Sequence, residues 1–270
     1  MKAVDQVIED LKKEPQSDDI IKDLLPESTS AYMLICGRSG IGKTNLVLYL
    51  AYCIATGSRF FSMETKKSTI GYLSFEGSQK QIANRFEKLK KTFGSAGSYL
   101  RWEHSLPIQL NSSGKDDIKR LITGLDVAII DPLRPLVAGD WMKPADASHF
   151  VNNLTQVQND TGTTVILIHH IRKPDRKLRV NPEDLQFEIK GATEYVDAAA
   201  TVLLLDRPRH SRDGLGRFQS NSDDRILYFV KVKDAPAEFK PLHLRLNRDD
   251  LIFRQLSNHY EYEEDDGGFI

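Results

Sequence analysis

The residues Gly37 to Thr44 read Gly-Arg-Ser-Gly-Ile-Gly-Lys-Thr and directly follow the apolar run Ala31 to Cys36. This is the spacing GxxxxGK[ST]. Glycines at those positions let successive backbone N–H groups turn inward and wrap phosphate oxygens. Gly37, Arg38, Ser39, Gly40, Ile41, Gly42, Lys43, Thr44 and the following Asn45 are therefore the expected phosphate contacts. Lys43 brings a positive charge to the β- and γ-phosphates, and the Thr44 hydroxyl is a ligand for Mg²⁺. The start of the helix that follows adds its own partial positive charge.

A phosphate loop of this kind needs a carboxylate on a neighbouring strand to hold the water shell of the magnesium. Asp131 fits, because it ends the most apolar strand candidate, Val127 to Asp131, and is followed by Pro132. Hydrolysis further requires a group that orients or deprotonates water. Glu76 stands at the end of Ile-Gly-Tyr-Leu-Ser-Phe-Glu, the first strand after the loop and its helix. Strand ends of open α/β sheets are where ligands bind, so Glu76 is the candidate base. Asp117, Asp126 and Glu103 lack such a placement and read as surface acids.

These side chains need a scaffold, and the hydrophobic pattern supplies one. Strands are expected at Ala31 to Cys36, Ile70 to Phe75, Leu100 to His104, Val127 to Asp131 and Thr163 to His170. Helices are expected over about Lys43 to Ala55, Ser78 to Thr92, Asp117 to Ile122 and His149 to Asp160. Alternation of apolar strands with helices is the mark of a parallel sheet with crossovers. Beyond Arg179 a helix near Ala192 to Ala199 precedes the strand candidates TVLLLD, RILYFVKVK, PLHLRL and LIFRQL, an antiparallel extension. The organisation is a helical lead-in over residues 1–27, one α/β domain over 28–256 and an acidic tail over 257–270. That tail reads either as a solubilising disordered segment or as a charge mimic that docks on a basic or replication partner.

Composition is that of an ordinary globular chain, with 40% apolar and 28% charged residues. A net charge of −1 argues against a protein that coats nucleic acid by bulk charge, though not against a local basic channel. Cys36 and Cys53 lack metal-ligand spacing and read as reduced, buried thiols. No apolar run reaches the length of a membrane span, and the expectation is a soluble, cytoplasmic protein with no membrane partner.

With Gly37 to Thr44, Glu76, Asp131 and the strand end His169–His170 in order, the chain resembles the RecA/DnaB superfamily. It is most similar there to the RepA-type hexameric replicative helicases of plasmids. The resemblance implies a RecA-like P-loop NTPase core, a mostly parallel twisted sheet flanked by helices. It also implies ATP and Mg²⁺ as ligands, single-stranded DNA as a partner, and a homo-oligomer, as a hexameric ring or a filament. His170 matches the superfamily's polar sensor of the γ-phosphate, with His169 beside it. The basic stretch after it, with Arg172, Lys173, Arg176, Lys177 and Arg179, matches a DNA-contacting central loop. Arg134, in the preceding loop with Trp141 and Lys143, matches the other such loop.

Lys231 and Lys233, in Val-Lys-Val-Lys-Asp-Ala-Pro, share one face of a strand. Alone they read as a solvated pair. In the resembled superfamily such a pair reaches the γ-phosphate of the neighbouring subunit, which makes both candidates for catalysis in trans. Lys-x-Lys is the recombinase pattern, whereas replicative helicases carry arginine at the second position. Three functions thus stay open: a DNA helicase or translocase, a recombinase or recombination mediator, and a regulatory ATPase without DNA.

Overall fold

A computed structural model describes residues 3–6, 9, 19–27, 30–104, 108–171, 193–208, 223–233, 235 and 238–256 of the 270 in the chain. Among the described residues the strands are β1 (Tyr32–Gly37), β2 (Ile70–Ser74), β3 (Leu100–His104), β4 (Val127–Asp131), β5 (Thr164–His170), β6 (Thr201–Asp206), β7 (Asp224–Val232), β8 (Leu242–Leu246) and β9 (Phe253–Gln255). They form one sheet in the order β3-β2-β4-β5-β1-β6-β7-β8-β9. The first six are parallel, and β7, β8 and β9 continue the sheet antiparallel. The expected fold class, mostly parallel with an antiparallel C-terminal extension, is what the chain adopts.

The helices are α1 (Lys43–Thr56), α2 (Gln79–Phe93), α3 (Gly114–Ile122), α4 (Pro144–Thr161) and α5 (Glu194–Ala198). Helix α4 begins five residues before the expected His149, because Pro144 at its first turn has no N–H to leave unpaired. It ends at Gly162, whose φ of 71 suits a left-handed cap.

Central strands are buried on both faces, and period-two alternation sorts their side chains into two cores. Met33, Ile35, Ile129, Ile166, Ile168, Leu203 and Leu205 face α1 and α2. Leu34, Cys36, Ala128, Ile130, Val165, Leu167, Val202 and Leu204 face the layer of α3, α4 and α5. The lead-in joins the first core: Ile20, Ile21, Leu24 and Leu25 are buried there, and the Thr201 hydroxyl donates to the Leu24 carbonyl. Both cysteines are free and buried, and burial pushes the Cys53 thiol up to about 12. No helix among the described residues is long and apolar enough to cross a membrane.

Candidate nucleotide site

The carboxyl ends of β1, β4 and β2 converge on the loop between β1 and α1. Backbone sterics explain two of its glycines. A Cβ on Gly37 would lie 2.7 Å from the Leu205 carbonyl oxygen of the adjacent strand β6. Gly42 has φ 108, and a Cβ there would meet the Phe253 ring at 2.9 Å. Only glycine fits at either place. The loop is then tied down from below. Arg38 pairs with the buried Asp206 at 3.2 Å, and the buried Arg225 donates from Nε to the Ile41 carbonyl at 2.7 Å.

Lys43, only 6% exposed, donates to the carbonyls of Gly37 (2.8 Å) and Arg38 (2.9 Å). Its Nζ also lies 3.2 Å from His170 Nδ1. Burial pulls this lysine down from its ordinary 10.5 to about 8, against the charges of Asp131 and Glu76, which favour the ammonium form. An ammonium held in a desolvated cradle of carbonyl oxygens is poised for a polyanion, which restores the charge compensation that burial removed.

Asp131 stands in register with Ser74 of β2, and its carbonyl accepts from Phe75 N–H at 2.9 Å. Its Oδ2 accepts from the Thr44 hydroxyl at 2.9 Å and from the Tyr72 phenol at 2.8 Å. Burial raises the Asp131 carboxyl above its ordinary value, while these two hydrogen bonds and the charges of Lys43 and Arg85 act in the opposite direction. A hydroxyl and a carboxylate this close are hard oxygen donors of the kind magnesium takes, with phosphates and water filling the rest of the octahedron. Among the described residues no group of three or more His, Cys, Asp or Glu could hold a metal unaided, so such an ion would depend on the phosphates.

Around these groups lies a cleft of about 340 Å³. Of the expected phosphate contacts, Ser39, Gly40, Gly42, Lys43, Thr44 and Asn45 line it. Gly37, Arg38 and Ile41 form the scaffold behind them. Asn45 Oδ1 is buried with no hydrogen-bond partner among the described residues, an acceptor left for a ligand or water. Glu76 and His170 line the same cleft. Strand β2 ends at Ser74 instead of continuing to Phe75, and Glu76 lies exposed in the bend beyond it. His169 faces the other side, buried between the rings of Trp141 and Tyr195 at 5.7 Å from each. Alternation along β5 thus places His170, and not His169, at the lysine.

Lys231 and Lys233 are not in this cleft. Strand β7 runs antiparallel to β6, so Lys231 pairs with Val202 near the amino end of the sheet. That level is the level of Leu34 in β1, three residues of strand, roughly 10 Å, before Gly37. The Lys231 ammonium caps α5, donating to the carbonyls of Val196 and Asp197 at 2.8 Å each. Lys233 is exposed just after β7, with its N–H on the Ala200 carbonyl at 2.9 Å, and its charge acts on Lys231. Arg134 is exposed, with its guanidinium 5.7 Å from the Trp141 ring. Trp141 is half-buried against His169 and is not an open stacking platform. Arg172, Lys173, Arg176, Lys177, Arg179 and the acidic tail lie outside the described residues.

Several site residues carry no motif. Tyr72, Gln81, Ile82 and Arg85 line the cleft from β2 and α2. Arg38–Asp206, Arg225 and Phe253 support the loop from strands far along the chain. The one available signal was Tyr72, a phenol in a buried strand two residues before the sheet's carboxyl edge, where a buried hydroxyl must find a partner.

Residues 1–176 match the AAA domain family. No curated protein matches. Similar solved structures include a DnaB-like replicative helicase described for its interactions with primase, with TM-score 0.63 and 13% identity over 95% of this chain and 68% of that one. A KaiC-like protein from the hyperthermophilic archaeon Pyrococcus horikoshii OT3 gives TM-score 0.55 and 12% identity over 83% and 89%. The RadB recombinase gives 0.54 and 14% over 82% and 89%. At these identities the likeness is one of fold.

Proposed function

The chain belongs to the AAA domain family and has the RecA-like fold of the RecA/DnaB-superfamily P-loop ATPases; from that premise we propose that it is an ATP-dependent DNA helicase or translocase. In this reading it acts on single-stranded DNA as a homo-oligomeric ring and hydrolyses ATP at subunit interfaces. The observation that supports it most is the division of the site. Lys43, Thr44, Asp131, Glu76 and His170 surround one cleft, while Lys231 and Lys233 lie toward the amino end of the sheet. Neither lysine reaches the phosphates of its own chain, so a catalytic part for them requires a neighbour.

Thr44 and, through water, Asp131 would hold a magnesium ion, which would supply neutralisation of the phosphate charge. Lys43 exchanges its carbonyl cradle for phosphate oxygens. Glu76, exposed at the mouth of the cleft, takes the proton from the attacking water. His170 loses its contact with Lys43 when phosphate arrives and passes that change to the basic segment that follows it. Lys231 first has to leave the α5 carbonyls, whereas Lys233 is exposed already. The neighbour's lysines then meet charge developing on the γ-phosphoryl group.

The test combines ATPase rate with and without single-stranded DNA, strand displacement on a forked duplex, and particle shape in micrographs. Stimulation, displacement and rings are expected. Filaments without displacement would favour the recombinase reading, which the Lys-x-Lys pair supports. A rate indifferent to DNA would leave the regulatory ATPase.

A further inference from the structure

Asp131 uses one of its two oxygens twice. The Thr44 hydroxyl and the Tyr72 phenol both donate to Oδ2, at 2.9 and 2.8 Å. The two donors differ in what else they must do. Thr44 opens α1 on the phosphate loop, and its oxygen is also the expected metal ligand. Tyr72 sits in the middle of β2, 1% exposed, and has no other hydrogen-bonding duty at the site. Its ring meets Phe86 of α2 edge-on, with centroids 6.0 Å apart and planes at 78°. Phe86 is backed by Trp102 at 5.6 Å and Tyr52 at 6.5 Å. The phenol therefore has little room to swing, and its oxygen is delivered to one point.

A carboxylate in this position has competing partners. The charges of Lys43 and Arg85 both act on Asp131, and Arg85 lines the same cleft. These charges pull on Asp131 in directions other than that of the metal, so a carboxylate free to rotate has no single orientation fixed by charge alone. We propose that Tyr72 is the positioning residue of the metal carboxylate: its phenol pins Asp131 Oδ2 and leaves Oδ1 directed at the magnesium that arrives with the nucleotide. The inference rests on the nucleotide reading above and extends it to a residue outside every motif. Tyr72 lines the cleft, but the hydrogen bond of its hydroxyl goes to Asp131. Its effect passes through Asp131 and is therefore selective for the metal.

The experiment is equilibrium binding of fluorescently labelled ATP to the full chain, in excess EDTA and across a magnesium titration. For Tyr72→Phe, affinity in EDTA stays within about twofold of the unsubstituted protein. The magnesium-dependent gain in affinity falls about 10- to 100-fold, the usual cost of removing a partner that orients a metal-binding group. Replacing Tyr72 with p-aminophenylalanine keeps an N–H donor at the same place and restores most of that gain. It also provides the comparison should the phenylalanine variant fold poorly. Equal losses with and without magnesium would mean that Tyr72 only shapes the cleft, and an unchanged magnesium response would mean that Asp131 holds itself. Either result overturns the proposal. If the unsubstituted chain binds no labelled ATP in either condition, it is the nucleotide reading that fails.

Discussion

Lys43 makes the nucleotide-free protein less stable than it would be without that charge, and the size of the effect follows from its surroundings. The ammonium is 6% exposed and titrates at about 8, against 10.5 ordinarily. The folded state thus binds fewer protons than the unfolded state between those values, and stability rises with pH across that window. The full penalty, present below pH 8, is about 3 kcal/mol. Between pH 7 and 9.5 about 2 kcal/mol of it is relieved. Lys43→Met removes the titrating group and leaves the other groups in place. Urea unfolding of both proteins at the two pH values, without nucleotide, isolates this lysine as a double difference. The original protein should gain about 2 kcal/mol more than the variant on going to pH 9.5. A double difference near zero would mean that the lysine is solvated and the buried cradle is wrong. A negative one would mean that the pocket stabilises the charge. The same reasoning gives a binding prediction with the opposite trend. Phosphate returns the ammonium toward its ordinary range, so nucleotide affinity should be flat below pH 8 and fall about tenfold per pH unit above it.

Glu76→Gln should retain magnesium–nucleotide binding while hydrolysis drops at least about 100-fold, measured as turnover beside equilibrium affinity. Loss of both together would assign Glu76 to binding. Lys43→Ala subunits and Lys231→Ala/Lys233→Ala subunits should each be nearly inactive, yet regain turnover when mixed, because some interfaces then join an intact loop to intact lysines. Mixtures as inactive as their parts would remove the lysines from the neighbour's site. Gly42→Ala combines φ 108 with a 2.9 Å approach to Phe253, so it should cost roughly 1–3 kcal/mol of stability and weaken nucleotide binding, read by urea unfolding and by titration. Normal behaviour on both measures would show that the loop relaxes without strain.

Local pattern carried the reading a long way. Each parallel strand is a short apolar run, and burial on both faces demands such runs, so β1, β2, β4 and β5 were visible with boundaries within a residue or so. Glu76 and Asp131 were legible because the end of a strand is itself a sequence feature, and register then brings both ends to one edge. The Lys231 contact was not legible. Its spacing implies a face, but its partner is the carboxyl end of a helix some 35 residues earlier, and only the path of β7 along β6 decides that meeting.

Local pattern placed a phosphate-loop motif, a carboxylate at a strand end and a candidate base together at one edge of a parallel sheet, because glycine spacing and strand ends are local facts. Tertiary structure alone decided that His170 and not His169 meets Lys43. It also decided that Arg225, Asp206 and Phe253 meet the loop, that the Tyr72 phenol meets Asp131, and that Lys231 lies toward the amino end of the sheet. Those outcomes depend on which side chains long-range strand pairing brings within about 3 Å, and a hydrogen bond over that distance leaves no periodic trace in the chain that forms it.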